Sequence, residues 1–142
     1  MNYEDQPLGL LLGDTLRLLS KSIRVKFIKL GMPVSPDQFG LLNLIDQKEE
    51  SQQTELADIM AKDKSAVLRQ LDSLERNGLI SRSIDGNDRR KKNLVVTPEG
   101  AQIIKQGRGI IDALMDELTK NVPSDDLYTF KKILNQMKKN AE

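Results

Sequence analysis

The 142-residue chain contains no cysteine, no histidine and no tryptophan. Each of the first two absences removes a kind of chemistry. Without Cys there is no disulfide framework and no thiolate nucleophile. Without His there is no imidazole general base, so Ser-His-Asp and Cys-His hydrolases are excluded, as is a Cys/His zinc site. Carboxylate, lysine and carboxylate-bound Mg²⁺ chemistry survive. The loop acids Glu49, Glu50, Asp85 and Asp88 nevertheless stand without a nucleophile or a phosphate-cradling glycine loop. Neither an enzyme nor a cofactor is expected. Long hydrophobic runs are missing too: no window approaches the ~18 apolar residues of a membrane span. The opening MNYEDQP carries acids where a secretory signal carries Lys or Arg. A cytoplasmic protein without membrane attachment is the expectation.

What is present is enough for one domain over residues 1–142 with its own core. The formal net charge of +1 becomes informative only when divided along the chain. Residues 46–58 set Asp46, Glu49, Glu50, Glu55 and Asp58 against Lys48 alone. Residues 62–92 carry Lys62, Lys64, Arg69, Arg76, Arg82, Arg89, Arg90, Lys91 and Lys92 against Asp63, Asp72, Glu75, Asp85 and Asp88. A neutral chain with one basic segment suits a localised anionic partner, and equally a solvated face.

Apolar periodicity divides the chain into helices with one strand pair. Leu8, Leu12, Leu16, Leu19, Ile23, Phe27 and Leu30 keep a helical period over roughly 34 Å. Leu11, Leu18 and Val25 form a second stripe beside it, which a partner subunit or a wide core of the same chain would cover. Gly31 and Pro33 stop this helix. Ser35-Pro36-Asp37-Gln38 starts the next with a capping box, and Phe39, Leu41, Leu42, Leu44 and Ile45 give it a buried side. After a polar connection with Ser51 as a cap, a short helix is expected over 53–61. Asp63 caps a further helix whose Val67, Leu71 and Leu74 share one face, and Asn77-Gly78 ends it.

The period then changes. Leu79 to Ile84 alternates, with Ile80 and Ile84 on one side, and Leu94 to Thr97 is apolar and β-branched. Between them Asp85-Gly86-Asn87-Asp88 and Arg89-Arg90-Lys91-Lys92 predict a β-hairpin with a basic tip. Thr97-Pro98-Glu99 restarts a helix that the apolar pattern carries to Pro123. Its Gly107 and Gly109 cost roughly 1 kcal/mol each against Ala and mark a bend or a close contact. Ser124 is expected to cap a last helix with Leu127, Phe130, Leu134 and Met137 on one face.

The order helix, short helix, turn, helix, basic hairpin is that of a winged helix-turn-helix. With Val67, Leu71 and Leu74 inward, the outward positions are Lys64, Ser65, Leu68, Arg69, Asp72 and Arg76. Lys, Ser and Arg on the N-terminal half of such a helix suit phosphates and guanine edges in a major groove. Leu68 fits either a thymine methyl or the edge of the core. A solvated face with Arg69 paired to Asp72 is the competing reading.

Thr54-Glu55-Leu56-Ala57, Asp63-Lys64-Ser65-Ala66-Val67 and Leu74-Glu75-Arg76-Asn77-Gly78-Leu79-Ile80 resemble the MarR family of bacterial regulators. So does the stretch from Asp88 to Gly100, with an Asp-x-Arg signature on Asp88 and Arg90 ahead of Leu94-Val95-Val96-Thr97-Pro98-Glu99-Gly100. The resemblance is dense from Ser35 to Gly100. It implies a mainly α fold with a small β-hairpin, its winged lobe at 35–100 flanked by dimerisation helices at 1–34 and 101–142. It implies a homodimeric repressor on a pseudopalindromic operator in double-stranded DNA. Arg90 would enter the minor groove with Asp88 holding its guanidinium, Lys91 and Lys92 would hold phosphates, and Arg89 could do either job. A small lipophilic or aromatic effector is implied as well, and Phe27, Met32, Phe39 and Met60 serve a pocket or the core equally well. Thiol-based and zinc-responsive sensing do not transfer to a chain without Cys and His. The alternative is a winged-helix adaptor that uses the basic face on a protein partner.

Overall fold

The computed structural model describes residues 2–47, 51–52, 63–84 and 92–142. After a 3₁₀ turn at Tyr3–Asp5, five α-helices and three strands are described: α1 (Leu8–Lys29), α2 (Pro36–Gln47), β1 (Ser51–Gln52), α3 (Lys64–Arg76), β2 (Ile80–Ile84), β3 (Lys92–Val96), α4 (Pro98–Leu118) and α5 (Ser124–Ala141). The expected helix over 53–61, the turn at 85–88 and the acids Glu49 and Glu50 lie outside the described residues. Two compact units are present, Met1–Ile111 and Asp112–Glu142.

The helix ends are set by local chemistry. The Ser35 hydroxyl accepts from the Gln38 amide at 3.2 Å, and the Gln38 side chain accepts from the Ser35 amide at 3.1 Å. That is the expected capping box. The Gln38 side-chain Nε2 also donates to Ser73 Oγ on α3 at 3.4 Å, so the start of α2 is tied to α3. α1 and α3 stop in the same way. Gly31 and Gly78 take left-handed backbone angles, φ 70° and 73°. Met32 then donates to the Phe27 carbonyl, and Leu79 to the Leu74 carbonyl, each at 2.9 Å. This bonding satisfies carbonyls that a helix end otherwise leaves open.

In the first unit one core gathers Phe27 from α1, Phe39, Leu41, Leu42 and Ile45 from α2, Val67, Leu71 and Leu74 from α3, Ile80 and Leu94 from the sheet, and Ile104 from α4. The Phe27 and Phe39 rings meet edge to face at 5.6 Å. Burying an aliphatic side chain of this size contributes about 1.5–3 kcal/mol, which outweighs the few tenths at stake in each residue's helix propensity. Across this unit Arg108 of α4 donates to Asn43 Oδ1 of α2 at 2.6 and 3.0 Å and to Asp46 at 3.2 Å.

Four expectations are corrected. The hairpin is not alone: β1 adds to it, giving the antiparallel order β1-β3-β2 with Ser51 paired to Leu94, while the helix that Ser51 is expected to cap lies outside the described residues. Two polar residues in a polar connection carry no alternating apolar pattern, so periodicity does not reveal such a strand. The helix expected to reach Pro123 ends at Leu118. The Thr119 hydroxyl bonds back to the Met115 carbonyl at 2.8 Å, and Asn121 turns left-handed at φ 67°. Ser124 is the first residue of α5 and not its cap. Pro123 holds the capping position with extended backbone and makes no side-chain cap bond. Finally, the two glycines of α4 differ. At Gly107 a Cβ would overlap Phe39 Cε2 and Cδ2, whereas at Gly109 it would meet nothing within 4 Å. Gly107 marks the close contact and Gly109 marks none.

That difference fixes the sign of two substitutions. Gly107→Ala is expected to destabilise by about 1–3 kcal/mol through overpacking against a buried ring. Gly109→Ala is expected to stabilise by up to about 1 kcal/mol through helix propensity. Thermal unfolding of the two variants beside the parent checks both.

Candidate nucleic-acid interface

α3 is built to present one side. The Asp63 carboxylate accepts from the Ser65 amide at 3.3 Å and caps the helix where the sequence predicts. Val67, Leu71 and Leu74 are fully buried, and their burial fixes the rotation of the helix about its axis. Lys64, Ser65, Arg69, Asp72 and Arg76 are exposed and Leu68 is half-buried. Successive positions are 100° apart, so Ser65, Arg69, Asp72 and Arg76 fall within a narrow arc on the outer face. Half-burial places Leu68 at the border of the core, with part of its side chain still available to the exterior.

Asp72 does not do what the solvated-face reading requires. Its carboxylate lies 2.8 Å from Arg82 Nη1, and the same nitrogen donates to Glu75 Oε1 at 3.1 Å. Among the described residues Asp72 therefore pairs across to β2, and no ion pair with Arg69 is formed. The Arg82 side chain is only 13% exposed, against 58% for Asp72 and 42% for Glu75. Residue typing on α3 could not supply this partner. The signal was on the strand: Arg82 falls between Ile80 and Ile84 in a period-2 run and shares their side of it. A cation at an inward position needs a carboxylate within reach, because an unpaired buried charge is costly.

The wing is described at its base. Five residues of β2 pair with β3, from Ile80 with Val96 to Ile84 with Lys92. Asp88, Arg89, Arg90 and Lys91 lie outside the described residues, and Lys92 is placed by its backbone pairing at the end of β3. The other end of the hairpin is tied to α3 by Thr97. Its amide donates to the Leu79 carbonyl at 3.1 Å, and its hydroxyl donates to the Gly78 carbonyl at 2.6 Å. The same oxygen accepts from the Gly100 amide at 3.1 Å, capping α4 as expected. One side chain thus joins the end of α3, the end of β3 and the start of α4. Of the residues weighed for an effector pocket, Phe27 and Phe39 are core, Met32 packs on it, and Met60 lies outside the described residues.

The MarR family model matches residues 34–92. Solved structures resemble the chain over nearly its whole length. One described as MarR has 29% identity, covers 99% of this chain and 94% of its own, and superposes with a TM-score of 0.84. Wild-type MarR from E. coli in its apo form has 27% identity, with 93% and 96% covered and a TM-score of 0.82. A mutant MarR from E. coli complexed with operator DNA has 27% identity, with 94% and 95% covered and a TM-score of 0.79.

Thr97→Val is expected to cost about 1–3 kcal/mol, since it removes the hydroxyl and leaves the Gly78 carbonyl without that donor. Thr97→Ser keeps both bonds and is expected to lose less than half as much, measured by urea denaturation of the pair.

Proposed function

The chain belongs to the MarR family, and from that premise we propose that it regulates transcription as a homodimer that reads a pseudopalindromic site in double-stranded DNA. The observation that carries this reading is the outer face of α3, where Lys64, Ser65, Arg69 and Arg76 stand exposed over a buried Val67-Leu71-Leu74 edge. A major groove accepts a helix of this width and offers guanine O6 and N7 to arginine. Lys64, beside the helix N-terminus, suits a phosphate, and Leu68 an apolar contact at the groove wall. Asp72 belongs to the same face through its pairing with Arg82. The mutant MarR from E. coli solved in complex with operator DNA supports a DNA partner for this chain.

In the wing, Arg90 is assigned to the minor groove with Asp88 orienting it. Arg89, Lys91 and Lys92 are assigned to phosphates on either side. These assignments rest on the Asp-x-Arg signature.

Two-fold pairing through α1 and α5 has its own support. Leu8, Leu10, Leu16, Leu18, Val25 and Ile28 of α1, and Leu30 just past its end, are more than half exposed. Among the described residues only Ile23 and Phe27 of α1 reach the core, while Leu8 and Leu16 of the first stripe and Leu18 and Val25 of the second stay exposed. On α5 Tyr128, Phe130, Ile133, Leu134 and Met137 are exposed as well. Apolar surface of this extent marks a protein interface. The regulator is a steric repressor without catalytic activity. A small lipophilic or aromatic effector releases it by binding one spacing of the two recognition helices better than the other.

Selection from random duplexes, then titration of the winner at several salt concentrations, tests the reading. An inverted repeat with half-site centres about 34 Å apart is expected. Arg69→Ala or Arg90→Ala is expected to weaken specific binding by about 1–3 kcal/mol at matched salt, with the fold intact. Recovery of no consensus would refute the regulator and favour the adaptor with a protein partner. Sedimentation tests the dimer separately: Leu18→Glu with Val25→Glu is expected to shift it to monomers at micromolar concentration.

A further inference from the structure

The Arg82 cluster is not explained by packing alone. An apolar residue at this inward strand position would bury as much surface with no ionic desolvation. Instead one guanidinium nitrogen holds two carboxylates of α3 at once, 2.8 Å from Asp72 and 3.1 Å from Glu75. Arg82 Nε is buried and has no partner among the described residues. The charge is therefore kept at a cost in polar satisfaction.

The two carboxylates show what it is kept for. Asp72 lies at the edge of the arc formed by Ser65, Arg76 and Arg69, beside the face assigned to DNA and on the side toward Glu75. Glu75 lies a turn away, toward the sheet. Left alone they would set two negative charges against a phosphate backbone. They would also leave the outer edge of α3 without a polar link to β2. Arg82 meets both demands from a strand that pairs residue for residue with β3, its own partner being Leu94. Leu94 is buried and is paired on its other side by Ser51. The anchor is thus the central strand of the sheet.

We infer that Arg82 is a positioning residue for DNA recognition: through Asp72 and Glu75 it ties the outer edge of the recognition helix to the wing strands and neutralises the acids beside its DNA-facing side, without contacting DNA itself. The inference rests on the DNA-binding reading above and names a residue on which that reading depends.

The test is a mutant cycle on the full chain with Arg82→Met, the pair Asp72→Asn with Glu75→Gln, and the three combined. Arg82→Gln stands in where the methionine variant does not fold. Affinities for the selected duplex and a scrambled one are measured at one salt concentration on protein shown to be folded. Arg82→Met is expected to weaken binding to the selected duplex about tenfold and to the scrambled one less, a coupling of the size found between neighbouring groups. In the background lacking both carboxylates the same change is expected to have no further effect.

An equal loss in both backgrounds would overturn the inference, since Arg82 would then contact phosphate directly. Unchanged affinity with a lowered melting temperature would overturn it too, showing a merely structural pair. Amide exchange over 64–76 provides an arm that needs no DNA. Faster exchange in Arg82→Met and in the carboxylate pair, with no addition in the combination, supports the clamp; parent-like exchange overturns it. A parent chain that selects no sequence overturns the DNA reading, while the exchange arm still decides whether Arg82 holds the helix.

Discussion

The burial of Val67, Leu71 and Leu74 is the constraint on which the rest depends. A helix has one rotational freedom about its axis, and three fully buried side chains at i, i+4 and i+7 remove it. Once they are seated among Phe39, Leu42, Ile80 and Leu94, the identity of every outward residue of α3 follows from geometry. An apolar core thereby aims polar chemistry. Truncating Leu71 or Leu74 would cost about 2–5 kcal/mol in stability, and it would also loosen the aim of side chains that do not touch the core.

Rotation is one coordinate; the ends of the helix supply the others. Asp63 fixes the start, and Gly78 with the Leu79-to-Leu74 bond fixes the stop. Gln38 links the capping box of α2 to Ser73, and Thr97 links the stop to both β3 and α4. Each of these bonds is worth only about 0.5–1.5 kcal/mol net. Their value here is directional, because they join elements that the core alone would let slide. The ion pairs of Arg82 add a tie on the outer edge, where apolar packing gives none.

Much of this was legible in the sequence, for a physical reason. Caps, stops and helical faces are local codes: Ser35-x-x-Gln38, Asp63, Asn77-Gly78 and Thr97-Pro98 each act within a turn of where they are written, and the structure uses all four. What escaped was non-local or carried no pattern. Ser51 and Gln52 form a strand only because β3 offers them an edge. The end of α4 at Leu118 depends on Thr119 and Asn121, neither of which interrupts the apolar period. The partner of Asp72 was sought one turn away on its own helix, where spacing is readable, and stood instead on a strand seven residues beyond Glu75. Face assignments on α3 survived because they need only the period; charge pairing did not, because it needs the tertiary fold.

The uncovered faces of α1 and α5 bear on how stability and function are linked. A chain that leaves Leu8, Leu16, Leu18, Ile28, Tyr128, Phe130 and Ile133 in water forgoes burial worth about 25 cal/mol per Å². Under the proposed assembly that energy is recovered only in the dimer, so the folded population rises with protein concentration by mass action. The elements that would recover it are separate from those assigned to DNA: α1 and α5 carry these uncovered apolar residues, while α3 and the wing carry the residues assigned to the grooves. A two-fold interface repeats every contact twice, so small changes in how the long helices meet act on both recognition helices together. In the proposed assembly an effector would not need to touch α3 to disable it. Binding one pairing of the long helices better than another would suffice, because α3 is itself held by its core face, its caps and Arg82.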